Sequence, residues 1–114
     1  MNTAQIIRTP GRVHVFVQIE DDTVVSVDID DRPDGVGLRF SVPRSHLPMS
    51  ARRDLVDAAF DQPQLRDAHE VKVSLPLGDA ELLEHLQEHL VIADSRAAGA
   101  TCLIDGVARP VPAE

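Results

Sequence analysis

RVHVFVQIE, residues 12–20, alternates strictly, with Val13, Val15, Val17 and Ile19 on one side of an extended chain and Arg12, His14, Phe16 and Gln18 on the other. A period of two residues is that of a half-buried β-strand. Asp21 and Asp22 make a short polar break, and Val25, Val27 and Ile29 then alternate with Val24, Ser26 and Asp28, so the two runs predict a hairpin. Pro33 and Gly35 supply turn chemistry across 31–35. Beyond them Val36, Leu38, Phe40 and Val42 alternate with Gly37, Arg39 and Ser41, a third strand that completes a meander.

Working outward, Pro43 and Pro48 end the sheet segment, and Ser50 is placed to cap a helix from about Ala51 to Phe60 with Leu55, Val56, Ala59 and Phe60 on its buried stripe. Pro63 stops that helix. His69 to Leu75 alternates again through Val71, Val73 and Leu75, a fourth strand. The run Leu77, Gly78, Asp79 leads into a second helix, Ala80 to about Leu90, whose Leu82, Leu83, Leu86 and Leu90 share one stripe. A break at 97–99 precedes a fifth strand, Thr101 to Ile104. Asp105 and Gly106 read as a two-residue hairpin turn into 107–109.

Strands that precede helices in this segregated order predict an α+β fold: an antiparallel or mixed sheet, built from the three-stranded meander plus further strands, with two helices packed on one face. A chain of 114 residues predicts one domain over 1–114, with 1–10 and 108–114 as loose termini. No repeat or long linker divides it.

Hydrophobic residues at 43% and charged residues at 26% are those of a globular protein. The only aromatics are Phe16, Phe40 and Phe60, which leaves little material for stacking on bases or sugars. A net charge of -8 opposes general nucleic-acid binding and docking on anionic membranes. One cysteine, Cys102, excludes an internal disulfide, no apolar run is long enough to span a bilayer, and the first residues lack a secretory pattern, so the expected location is cytoplasmic.

Charge is unevenly placed. Residues 20–34 hold seven acids and one base, Arg32, whereas 35–53 hold Arg39, Arg44, Arg52 and Arg53 and no acid. Arg52 and Arg53 fall in the first turn of the first helix, where the macrodipole disfavours cations. Either an anion compensates them, in a pocket of Arg44, Ser50, Arg52, Arg53 and free backbone N–H groups, or carboxylates of the chain do; the second is the commoner arrangement.

His85 and His89 match the H-x-x-E-H spacing of inverted zinc peptidases over five residues, but a third ligand is wanting and the flank of an exposed amphipathic helix accounts for both. The acids of 28–34 miss the register of a calcium loop. Cys102 has no local base. No Gly-rich phosphate loop or nucleophile elbow is present. These readings predict no catalytic residue, no metal and no cofactor. They favour a non-enzymatic regulatory or protein-interaction module, partnered by another protein or by itself as a homodimer, with His14, Phe16 and Gln18 as the interface. The alternative is an anion binder, for phosphate, nucleotide or a local nucleic-acid backbone, at the first helix N-terminus; an enzyme using His or Asp is the third class.

Overall fold

The computed structural model describes residues 4–19, 24–43, 47, 49–66 and 70–109. Strands β1 (Ala4–Thr9), β2 (Arg12–Gln18), β3 (Val24–Arg32) and β4 (Gly35–Ser41) are followed by helices α1 (Met49–Phe60) and α2 (Pro63–Arg66). Then come β5 (Val71–Pro76), α3 (Ala80–His89), β6 (Leu90–Ala98) and β7 (Thr101–Ala108). They form one seven-stranded sheet in the order β1-β2-β3-β4-β5-β7-β6, antiparallel throughout except for the parallel pair β4–β5. The mixed α+β sheet carrying the meander is as the alternation predicts.

Register explains why one face is buried. Val13 lies opposite Ile29, Val15 opposite Val27, Ile29 opposite Leu38, Leu38 opposite Val73, and Val73 opposite Ile104. Each of these is buried, so the apolar halves of five strands coincide on one side. Ala51, Leu55, Val56 and Ala59 of α1 and Leu82 and Leu86 of α3 close over them in a single cluster, each helix burying an i, i+4 stripe. Phe60 is only half-buried and stacks on His89 with ring centroids 4.9 Å apart.

Three expectations from the sequence concern the two chain ends and the turn at 105–106. Residues 1–10, read as a loose end, contain β1: Pro10 and Gly11 (φ 76°) form the tight turn, and Ala4 through Thr9 pair in register with β2. Its side chains are mostly exposed, so no alternation marks it. Residues 110–114 of the other expected loose end lie outside the described residues. Third, Asp105 and Gly106 are not a turn but the middle of β7, and the hairpin lies at Gly99 (φ 63°) and Ala100. β6 went unread because only Leu90 of it is buried.

Gly106 is there for a close approach. A Cβ on it would come 2.6 Å from the Val91 carbonyl oxygen and 2.9 Å from Leu90 Cγ, at the bulge between Ile92 and Asp94. Gly106→Ala is therefore expected to cost about 1–3 kcal/mol in urea unfolding. A neutral result would sink the close-packing account.

Candidate functional site

The site begins where two strands part. β4 and β5 pair from Val36 and Val71 to Arg39 and Ser74. Beyond that point β4 runs on to Ser41 and β5 to Pro76, each held only by its outer neighbour: Ser41 lies opposite Ser26, and Pro76 opposite Thr101. Pro76 carries no N–H to offer across the gap. The two inner edges thus separate toward their carboxyl ends. In open sheets this is the position where ligands enter, because the connections leave neighbouring strands in different directions and a crevice opens between them.

The gap widens into a cleft of about 520 Å³. Val42 and Pro43 after β4, and Pro76 at the end of β5 with Leu77 after it, form its apolar walls; Gly78 and Ala80 lie at the turn into α3; Arg52, Asp79 and Glu81 make the charged side. Gly78 has φ 90°, which lets the chain reverse from β5 into α3. The cleft thus joins apolar strand ends to a charged side at the start of α3.

Asp79 serves two helices at once. As the N-cap of α3 it accepts from the Leu82 backbone N–H at 3.1 Å. The Arg52 guanidinium Nε of α1 donates to its two carboxylate oxygens at 2.9 and 3.1 Å, and a second Arg52 nitrogen lies 3.5 Å from Glu81. The Arg52 and Asp79 side chains are only 14% and 9% exposed, so the pair is largely desolvated and its geometry constrained.

The proposed anion pocket at α1 is thereby described in part. Arg52 is turned onto the carboxylates of α3, Arg53 is exposed, and Ser50 is exposed on the first turn and engaged in an interaction of its own. Arg44 lies outside the described residues. His14, Phe16 and Gln18 share the sheet face that no described helix covers: His14 Nδ1 lies 2.6 Å from Asp28 Oδ1, and its ring centroid is 5.6 Å from that of Phe16. Of the helix histidines, His89 Nε2 is 2.8 Å from Asp57 Oδ1 on α1, while His85 Nδ1 is buried with no hydrogen-bond partner among the described residues. Among the described residues no group of three or more His, Cys, Asp or Glu side chains is placed to hold a metal ion, and no helix is long and apolar enough to cross a membrane.

Sequence reasoning missed the cleft. Asp79 was legible as a polar residue ahead of a leucine run, but its bond to Arg52, 27 positions earlier, has no local signal.

The architecture is thus a mixed α+β sheet with a cleft at the divergence of its single described parallel pair. Two solved structures share that fold. One is a protein of Sphaerobacter thermophilus provisionally named an acetyltransferase, 19% identical, TM-score 0.54, the match covering 83% of this chain and 67% of that one. The other is the spermidine/spermine N-acetyltransferase SpeG of Vibrio cholerae, 10% identical, TM-score 0.56, covering 84% of this chain and 65% of that one. At these identities the likeness is one of fold. No protein-family model matches the chain, and no curated protein matches it significantly in sequence. Both neighbours bear the names of acetyltransferases, and this overturns the expectation of a non-enzymatic interaction module, which rested on the lack of catalytic residues in local motifs.

Replacing Arg52 leaves the Asp79 carboxylate buried without its cation. Arg52→Met should destabilise the protein by roughly 3 kcal/mol in chemical denaturation, and by much less in an Asp79→Asn background, where the cap survives and the charge is gone. Equal losses in both backgrounds would show that the two side chains do not act as a pair.

Proposed function

We propose that this protein is an acyltransferase, holding an activated acyl donor in the cleft between the diverging ends of β4 and β5 and passing the acyl group, acetyl in the first instance, to an amine. The observation that carries this reading is the end of β4–β5 pairing at Arg39 and Ser74, which opens the cleft at the strands' carboxyl ends. The acetyltransferase names of the two fold neighbours support the type of reaction. The donor in this reading is an acyl thioester such as acetyl-CoA; because Arg52 is already matched by Asp79 and Glu81, its recognition rests on the arm bearing the thioester lying against Val42, Pro43, Pro76 and Leu77. The transfer forms a bond from the amine nitrogen to the carbonyl carbon and breaks the carbon–sulfur bond, and the proton lost by the amine leaves with the thiol.

Acetyl-CoA is the probe. It should raise the melting temperature saturably, since a ligand of the native state must stabilise it. Ala80→Trp, which places a large ring at an exposed cleft position with little expected effect on folding, should abolish the shift. Thiol release with a panel of amines then separates transfer from binding. An unshifted melting curve at millimolar acetyl-CoA, or a shift unaffected by Ala80→Trp, would rule this site out.

A further inference from the structure

We infer a second ligand site, on the uncovered face of the sheet, for a small molecule bearing a dianionic oxyanion group, a phosphate or a dicarboxylate. All the described helices pack on the other face, so here the polar halves of the strands line up in the open. A concavity of about 400 Å³ lies across β4, β5 and β7, lined by four cations, Arg32, Arg39, Lys72 and Arg96, against two carboxylates, Asp30 and Asp105. In a molecule of net charge -8 this is a local reversal of sign.

The two carboxylates are already spoken for. Asp30 accepts from Arg12 Nε at 2.8 Å, and Asp105 lies 3.5 Å from Arg96. The cations are not equally matched. The Arg39 side chain is exposed and has no hydrogen bond or ion pair with any described residue, and the same holds for that of Arg32. Lys72 has only Asp34, at 3.7 Å and with both side chains about half exposed.

Register brings these unmatched charges together. Gly37 lies opposite Lys72, and Arg39 opposite Ser74, so Arg39 and Lys72 project from adjacent strands on the same face, with the Ser74 hydroxyl beside them. Gly37, with no side chain, leaves room for the Arg32 guanidinium to lie across its buried backbone at the edge of the concavity, with Cζ 2.9 Å from where a Cβ would stand. Two guanidinium groups and an ammonium lining one concavity suit an oxyanion, because each guanidinium can donate two parallel hydrogen bonds. The site stands apart from the acyl-transfer reading and does not need it.

The test is a titration of the full-length ¹⁵N-labelled protein with inorganic phosphate and, separately, with succinate, at constant ionic strength. Saturable shifts are expected in the amides of 37–39, 72–74 and 103–105. Arg39→Gln should weaken binding about tenfold or more, the loss of a charge-assisted contact. Arg66→Gln, an exposed arginine on α2, should leave it unchanged. Saturation by phosphate alone, by succinate alone or by both supports the site and says which oxyanion it takes. Saturation by neither, shifts that map elsewhere, or an Arg39→Gln protein that binds as tightly would overturn it.

Discussion

The parallel pairing of β4 with β5 is the constraint on which the rest of the molecule depends. Antiparallel neighbours can be joined by a tight turn, but a parallel pair requires the chain to cross back over the sheet, and α1 and α2 are that crossing. Once they lie on one face, α3 packs against α1 on the same side, and the hydrophobic cluster is complete there. The pairing is also short. Its end at Arg39 and Ser74, with each strand still held by its outer partner, is what makes a cleft instead of a continuous sheet.

The Arg52–Asp79 pair ties the two sides of that cleft together. An arginine in the first turn of a helix is locally unfavourable, and an aspartate at an N-cap is locally favourable. Their combination joins the starts of α1 and α3, the helices that leave the two diverging strands. The pair therefore links a helix cap to the shape of the site.

Covering one face leaves the other to charge. Arg12 with Asp30 and His14 with Asp28 form cross-strand pairs over β2 and β3, of the kind that contribute little individually because water screens them. Toward β4 and β5 that matching lapses. Arg32 and Arg39 form no ion pair with a described acid: Asp28 lies opposite Arg39 but is held by His14.

Much of the fold was legible in local pattern. The alternation of β2 to β5, the leucine stripe of α3 and the α1 stripe all fall where spacing puts them, since a strand or helix with one buried face must repeat its apolar residues at its own period. β1 and β6 were not legible. They are edge strands with few buried side chains, and nothing but their backbone pairing marks them. Gly106 misled because a glycine after an aspartate suits a turn as well as a close approach, and only the nearness of Val91 and Leu90 decides between them. Alternation settles which side of each strand is apolar. Which strands become neighbours, which pair runs parallel and where that pair parts were decided only by tertiary packing. Cleft and concavity alike are built from side chains tens of residues apart, whose chemistry exists only once distant strands share a register.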